Sequence, residues 1–514
     1  MTVSKRRSLL ASATLAALTV LAACVSAHDH HRHRHGPTAR HYHHHHRQVG
    51  GVRYTLTGED VFYGRLDVTA STRHGDGSGN GTSSLKELCD PGVEQEAGYY
   101  RVTGTRDLNM FYWFFESRSN PATDPVILWM TGGPGCSDAT ALFAENGPCL
   151  LDKGRAFPRL NEYGWNEQAS IIYIDQPCGV GYSFGDVSDE DKNEKGVARH
   201  VGGFLLDFFK QHPHLKERPF YIFGESYGGH YVPSVAAAVM DELNLKGAAI
   251  GNGLTVPSIQ FAYYPELAYT YAKEALGKPV ISYPVYLLQK AGWPQCHEMI
   301  EKCQNDTSTC AEAQKICEVM MMAPYTMSGM NPYDIRLKCE KEPLCYDFTN
   351  IENFMNNATV KSILGVPDEV EWSDCNNTVN AMFASDWMKN FDRQVVDLLE
   401  GGVKVLIYAG DMDFICNWIG NKAWTLALDW SGKAAFNAAK VREISLPGEP
   451  EPVGEARLAE NFSFFRIFGA GHLAPMDKPK VTLEMVKWFT QPEKPAAAEL
   501  VMAEEDPAVV FPEF

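Results

Sequence analysis

The sequence predicts an α/β fold, in which a mostly parallel sheet is covered by helices on both faces. Short apolar runs alternate with helix-compatible stretches along most of the chain, as expected for such a sheet. One of these runs, at 219–223, leads into Gly224-Glu225-Ser226-Tyr227-Gly228 and then into a segment that can form a helix. Strand, Gly-Xaa-Ser-Xaa-Gly and helix together predict the nucleophile elbow of an α/β hydrolase, where a tight turn exposes the serine hydroxyl.

Apolar, β-prone runs predict the other strands. Two early antiparallel strands are expected at 99–102 and 110–115, and the runs expected to join 219–223 in the buried sheet are 125–130, 170–174, 245–250, 403–409 and 462–468. Between 255 and 375 the alternation stops and cysteines become frequent, so we expect an inserted cap there. The core is then formed by residues 51–254 and 376–491, and residues 492–514 form a C-terminal tail.

The composition is that of a globular, acidic protein. The 514 residues carry a formal net charge of -18, and the sequence contains no basic stripe that would favour nucleic acid as a partner. We predict neither a cofactor nor a metal ion.

Residues 1–27 are typical of a secretory signal. Lys5-Arg6-Arg7 precedes an apolar run, and small residues at 25–27 form a cleavage site. Because the apolar run is too short for a comfortable membrane span, we expect no span after signal removal and place the protein in the secretory pathway. A lysosome-like or vacuole-like acidic compartment is the expected destination, with secretion as the alternative. N-linked glycans are predicted at five sequons, those of Asn80, Asn305, Asn357, Asn376 and Asn461.

The segment 28–50 is rich in histidine and arginine. It is interpreted as a solvated pro-segment or linker. A metal-binding or pH-responsive arm is the alternative, although no ligand spacing in it specifies a geometry.

Regularly spaced cysteines predict how the cap is stapled. Cys296, Cys303, Cys310 and Cys317 recur every seven residues, which would place one pair on one face of each of two helices. In an antiparallel helical hairpin, facing residues have a constant index sum, so the nested pairs Cys296–Cys317 and Cys303–Cys310 are expected. Cys339 and Cys345 are expected to close a local loop.

Residues with acid–base chemistry follow the last two predicted strands. Asp413 comes after the strand at 403–409, and His472 comes after the strand at 462–468. The order Ser226, Asp413, His472 is the order of an α/β-hydrolase triad, in which histidine takes the serine proton and aspartate orients the histidine. Asp411 is the alternative acid, only two residues earlier.

At this point the chain is identified as resembling the serine carboxypeptidases, close to the yeast vacuolar carboxypeptidase Y type. The matching stretches are 129–137, 175–177, 224–233, 410–424 and 471–472. The resemblance implies an α/β-hydrolase fold with a helical cap, and removal of single residues from peptide and protein C-termini under acidic conditions. It favours Asp413 over Asp411, and it supports a Cys136–Cys375 bridge and a free thiol at Cys416. It places neither Cys149 nor Cys178.

The oxyanion that forms when the serine attacks a carbonyl must be stabilised by hydrogen-bond donors in fixed positions. The amide of Tyr227, directly after the nucleophile, is one expected donor, and an amide of the Gly132-Gly133 turn is the other. The resemblance selects Gly133.

The family pattern also implies a site for the free carboxylate of the substrate. It assigns this role to Glu225 and Glu145, together with Trp129, Thr131 and Gly132. Carboxyl groups that face a carboxylate must keep protons, because each like-charge pair at about 4 Å costs roughly 4 kcal/mol at an effective dielectric of 20. Thr131 stands where the family usually has asparagine, which predicts a weaker grip on the carboxylate.

The family arrangement places Thr140, Cys416 and Leu473 in the pocket of the leaving residue. The apolar Leu473 predicts a preference for hydrophobic C-terminal residues.

Two other functions stay open at this stage. One is an acyltransferase, which would pass the same acyl group to an alcohol, and the other is a non-catalytic protective or binding protein.

Overall fold

The computed structural model describes residues 84–342, 344–490 and 500–502. The predicted signal, the His-rich segment and Asn80 lie outside these residues, as does most of the predicted tail. The described strands are β1 Gln95–Arg101, β2 Asn109–Phe115, β3 Val126–Met130, β4 Cys149–Leu150, β5 Arg159–Leu160, β6 Ser170–Ile174, β7 Phe220–Ser226, β8 Leu245–Gly253, β9 Met330–Asn331, β10 Asp334–Lys338, β11 Lys404–Gly410, β12 Arg442–Ser445, β13 Gly454–Ala459, β14 Phe462–Ile467 and β15 Val501–Met502.

One large sheet has the strand order β1-β2-β6-β3-β7-β8-β11-β14-β13-β12-β15. Its central strands, from β6 to β14 in this order, run parallel to one another. The β1–β2–β6 pairings at one side and the β14–β13–β12–β15 pairings at the other are antiparallel. This arrangement confirms the predicted α/β-hydrolase sheet, and it brings the carboxyl ends of the parallel strands to one edge.

Helices cover both faces of this sheet. The described α-helices are α1 Leu85–Leu88, α2 Asp138–Ala144, α3 Glu194–Gln211, α4 Pro213–Lys216, α5 Gly228–Val239, α6 Pro257–Gln260, α7 Ala272–Leu276, α8 Tyr283–Asn305, α9 Cys310–Cys317, α10 Ala323–Thr326, α11 Thr349–Met355, α12 Ala358–Leu364, α13 Asn377–Met382, α14 Asp392–Glu400, α15 Trp418–Ala427, α16 Lys433–Ala438, α17 Ala474–Asp477 and α18 Pro479–Thr490. Side chains alternate along each strand, so the two faces pack against different helices. In β3, Val126 and Leu128 belong to a core shared with α3 and α5, whereas Ile127 and Trp129 belong to a core shared with α2 and α18.

The described part of the region between β8 and β11 contributes no strand to the large sheet. It contains α6 to α14 and the two-stranded β9–β10 ribbon. Its cysteines form the nested pairs Cys296–Cys317 and Cys303–Cys310, which join α8 to α9, and the short loop closed by Cys339–Cys345. At the end of this region α14 packs against α5 and β11, so it belongs to the helical layer that covers the sheet.

Two further disulfides tie loops to the core. Cys136–Cys375 joins the turn after β3 to the segment before α13, and Cys89–Cys149 joins the segment after α1 to β4. The second pair gives Cys149 the partner that the sequence left open. Among the described residues, Cys178 and Cys416 are the free cysteines, and both are buried.

The four described sequons differ in what their amides contact. Asn305 and Asn357 are exposed, and the Asn305 amide donates to the carbonyl of Glu301 (3.2 Å) in its own helix. The Asn376 amide donates to the carbonyl of Gly179 (2.8 Å), and the Asn461 amide donates to the carbonyls of Leu399 and Val403 (2.9 Å each). The glycan at Asn461 stays a prediction, and it is disfavoured because both hydrogens of the nitrogen that would carry the sugar donate within the fold.

Within the described ranges, no helix combines the length and the apolar character needed to cross a membrane. The predicted tail contributes one element to the fold, because β15 pairs with β12 at the edge of the sheet.

Candidate active site

The predicted elbow lies at the carboxyl end of β7. The strand ends at Ser226, which has φ +62°, and α5 begins two residues later at Gly228. A non-glycine residue in this left-handed region is uncommon and marks a turn held by its surroundings. The turn packs closely on the end of β3, since a Cβ added to Gly132 would lie 2.3 Å from the backbone nitrogen of Tyr227. Glycine is therefore required at position 132.

His472 and Asp413 form a buried pair beside this elbow. The Nδ1 atom of His472 lies 2.8 Å from Oδ2 of Asp413, and Asp413 is fully buried. The same oxygen accepts a hydrogen bond from Nδ2 of Asn252 (2.9 Å), at the end of β8. Since Nδ1 is bound to the aspartate, Nε2 is the ring nitrogen left for a substrate or for Ser226, and His472 and Ser226 line the same cavity.

The backbone and ring of His472 are also held by the region between β8 and β11. The His472 amide donates to the carbonyl of Tyr333 (2.8 Å), and the two rings lie 5.0 Å apart. Sequence reasoning missed both Asn252 and Tyr333. A signal existed for Asn252, a polar residue between two glycines where a predicted strand ends, but none existed for Tyr333.

Asp411, the alternative acid, belongs to a different cluster. Its carboxylate accepts hydrogen bonds from the Tyr271 hydroxyl (2.7 Å) and the Gly469 amide (2.8 Å), and it pairs with Arg466 (3.2 Å). These three groups therefore hold the Asp411 carboxylate away from the imidazole of His472.

The two residues expected to supply oxyanion donors are next to each other at this edge. Gly133 has φ +110°, and both Gly133 and Tyr227 line the cavity with Ser226. The Tyr227 side chain is anchored by its hydroxyl, which donates to Asp386 (3.2 Å), and by stacking on His230 at 4.3 Å. Because the side chain is anchored, the backbone amide of Tyr227 is held in one orientation.

Glu145 and Glu225 meet at the same edge, and each is 2% exposed. Burial raises the pKa of Glu145 to about 8, and burial together with the neighbouring charge of Glu145 raises the pKa of Glu225 well above its usual value. The two carboxyls are close enough to contribute to each other's shift, and buried carboxyls this close must share a proton. The pair therefore keeps its protons through the acidic and neutral range.

Thr131 lines the cavity, whereas Trp129 is fully buried behind it. The Trp129 indole donates to the Thr131 hydroxyl (2.9 Å). Sequence reasoning missed Asp138, a buried residue of α2 whose two oxygens accept the backbone amides of Thr131 (2.6 Å) and Ile174 (2.8 Å). Asp138 thereby ties the end of β3 to the end of β6.

A cavity of about 500 Å³ opens over these groups. Thr140, Cys416 and Leu473, the expected pocket residues, all line it. Burial raises the pKa of the Cys416 thiol well above its usual value, so the thiol is neutral. The region between β8 and β11 supplies an apolar wall, made mainly of Tyr264, Met322, Tyr333, Leu344, Tyr346, Phe348, Trp387 and Met388.

One group of described side chains has the spacing of metal ligands. Donor atoms of Asp413, Cys416 and His472 lie within 4.8 Å of one another. The neutral thiol is a poor ligand, and the facing Nδ1 of His472 is already bound to Asp413. The donor set therefore suits the hydrogen-bonded pair better than a metal ion.

The fold places the protein among the α/β hydrolases. The profile of the serine carboxypeptidase family matches residues 87–492, so the chain belongs to this family and is a serine-type carboxypeptidase.

Individual relatives agree with this assignment. "Carboxypeptidase Y homolog A" of Arthroderma gypseum is 42% identical over 415 residues, covering 78% of this chain and 75% of that protein. "Serine carboxypeptidase-like 48" of Arabidopsis thaliana is 40% identical over 411 residues (77% and 78%). A solved structure of KEX1(delta)p, a prohormone-processing carboxypeptidase from Saccharomyces cerevisiae, is similar with a TM-score of 0.69 and 26% identity, covering 80% of this chain and 94% of that chain.

Proposed function

We propose that the protein releases C-terminal residues from peptides through an acyl-enzyme formed on Ser226. Nε2 of His472 takes the hydroxyl proton as Ser226 attacks the scissile carbonyl, and it then gives that proton to the leaving amine. Asp413 keeps the imidazole in the required tautomer and stabilises its charged form. The observation that carries this proposal is the 2.8 Å bond between His472 and the buried Asp413, at the strand edge that exposes Ser226.

The amides of Tyr227 and Gly133 are proposed to bind the oxyanion. The close packing of Gly132 on the Tyr227 nitrogen supports this role, because it brings the two backbone segments together. Loss of one such donor typically costs about 2.7–4 kcal/mol of barrier.

Glu145 and Glu225 are proposed to donate hydrogen bonds to the substrate carboxylate, with Thr131 and Gly132 beside them and Trp129 supporting Thr131. The raised pKa of both carboxyls supports this role, because a protonated carboxyl is a donor. Peptide binding is then favoured at acidic pH and weakens as the pH rises through about 8.

The pocket formed by Thr140, Cys416 and Leu473 is proposed to prefer hydrophobic leaving residues. The aromatic wall that faces it supports this preference.

The five disulfides among the described residues suit an oxidising compartment, so we propose the secretory pathway, with a vacuole-like acidic compartment as the destination.

The test compares wild-type protein with Ser226→Ala on an N-blocked dipeptide and on the corresponding ester, each with and without a serine-reactive phosphonate. We expect the wild-type protein to release the C-terminal amino acid, and we expect both the variant and the inhibitor to abolish this release. Ester turnover without peptide cleavage would indicate acyl transfer instead. Undiminished release by Ser226→Ala would refute the proposal.

A further inference from the structure

The charges that line the active-site cavity are almost all of one sign. Its lining residues, all of which lie in the described part of the chain, contain no lysine or arginine, and His472 is their only histidine. The acidic lining residues are Glu145, Glu225, Glu318, Glu352 and Asp374. Glu145 and Glu225 are engaged with each other, but sequence reasoning gave no role to Asp374 or Glu352.

Asp374 lies on the side of the leaving residue. The hydroxyl of Thr140, a pocket residue, donates to its Oδ1, and no described group donates to its Oδ2. Asp374 is also close enough to Glu145, at the carboxylate site, for its charge to raise the Glu145 pKa. Its backbone is rigidly held, because its carbonyl accepts the Ser137 amide (2.8 Å) and the next residue, Cys375, is bridged to Cys136.

An apolar path leads from the imidazole to this acidic end. Tyr333 packs on His472 (5.0 Å), Tyr346 on Tyr333 (6.0 Å) and Phe348 on Tyr346 (5.7 Å), and Glu352 follows on α11. A pocket with an apolar wall and an acidic end matches a side chain with an aliphatic stem and a cationic head.

We propose that Asp374 and Glu352 bind the cationic head of a C-terminal lysine or arginine. This inference rests on the proposed carboxypeptidase function and extends it, because apolar leaving residues use the wall alone whereas basic ones use the wall and the acidic end.

The charged neighbours of Asp374 determine how this site responds to pH. Burial is the main reason that the Asp374 pKa is raised to about 6; the Thr140 hydrogen bond and Lys341 act to lower this pKa, whereas Glu352 acts to raise it. Lys341 itself is bound to Thr349 (2.5 Å) and Asp347 (3.4 Å) at the start of α11. Glu145 and the Tyr333 phenol are further ionisable groups close enough to interact with Asp374. Asp374 therefore ionises as the pH rises through about 6, and affinity for a basic side chain rises with it.

The experiment compares blocked dipeptides that end in lysine or in norleucine, which differ by the ammonium group. Both substrates use the same carboxylate site and the same chemistry, so the ratio of their kcat/KM values measures the effect of the ammonium group alone. For the wild-type protein we expect the lysine-to-norleucine ratio to rise about tenfold between pH 5 and pH 7. For Asp374→Asn we expect a ratio that is independent of pH and about tenfold lower at pH 7. Glu352→Gln should lower the ratio by a smaller factor.

Glu312→Gln is the matched control. It removes the same charge from an exposed position on α9 that does not line the cavity, so it should keep the wild-type ratio. A wild-type ratio that does not change with pH, or a ratio that Asp374→Asn leaves unchanged, would overturn the inference. Failure of the wild-type protein to release even norleucine would overturn the proposed function instead.

Discussion

Replacing Glu145 by glutamine tests whether a buried carboxyl keeps its proton at this site. In the folded protein Glu145 is 2% exposed, and Oε2 has no hydrogen-bond partner among the described residues. Glutamine has the same shape and does not titrate. It can still form a hydrogen bond with Glu225, so the packing is conserved while the ionisation is removed.

The size of the effect follows from the pKa of Glu145, which burial raises from 4.5 to about 8. A raised carboxyl pKa means that the folded state holds a proton that the unfolded state has released. The stability that this proton contributes is fully present below pH 4.5 and is lost as the pH rises to about 8. At about 1.4 kcal/mol for each pH unit, wild-type protein loses on the order of 5 kcal/mol across this range as the coupled Glu145 and Glu225 pair gives up this proton.

The assay is the free energy of unfolding from urea titrations at pH 4.5, 6 and 7.5. We expect Glu145→Gln to gain stability relative to wild-type protein by about 1.4 kcal/mol for each pH unit, since the variant lacks this titration. Glu312→Gln, on the exposed face of α9, should follow the wild-type curve. If wild-type and Glu145→Gln stabilities run parallel over this range, the carboxyl ionises freely and the reasoning is refuted.

Two further predictions follow from hydrogen bonds. Asp138→Asn can accept only one of the two amides that Asp138 now accepts, so we expect it to lower the free energy of unfolding by about 1–3 kcal/mol and to lower kcat for both ester and peptide substrates. Stability and kcat equal to those of the wild type would contradict this. Peptide mapping after enzymatic deglycosylation should find glycans at Asn305 and Asn357 and none at Asn461, whose amide is bonded to two carbonyls. A glycan at Asn461 in folded, active protein would contradict the second prediction.

Local patterns were sufficient to predict the parallel strands and the edge at which they end, but they did not predict β12, β13 and β15 at one side of the sheet. The strand before Ser226 and the strands before Asp413 and His472 are all strongly apolar runs that end in glycine or small polar residues, so their carboxyl ends could be located from the sequence. The cap cysteines were also predictable, because a seven-residue repeat within one helical hairpin leaves little choice of partners.

Contacts between distant segments could not be predicted in the same way. Cys149 pairs with Cys89, 60 residues away, and neither the spacing nor the number of the cysteines selects that partner. Tyr333 holds His472 through its backbone carbonyl, which carries no signature of residue type. Asp138 lies in α2 two residues after Cys136 and could have been a solvated helix-start residue. Its role depends on β6 lying beside β3, which is a property of the strand order.

The Cys136–Cys375 bridge links the parts of the site that sequence analysis treats as separate. It joins the turn that begins with Gly132 and Gly133 to a segment 239 residues later that carries Asp374. Two backbone hydrogen bonds flank the disulfide. The Ser137 amide donates to the carbonyl of Asp374, and the Asn376 amide donates to the carbonyl of Gly135 (2.8 Å each). The two segments are therefore joined at three points. The proposed oxyanion turn and the proposed acidic end of the leaving-residue pocket therefore share one rigid support, so a displacement of either would be transmitted to the other. A loop insertion after Cys375 should accordingly reduce both kcat and the preference for lysine over norleucine, whereas an insertion of the same length at the exposed turn between α8 and α9 should change neither.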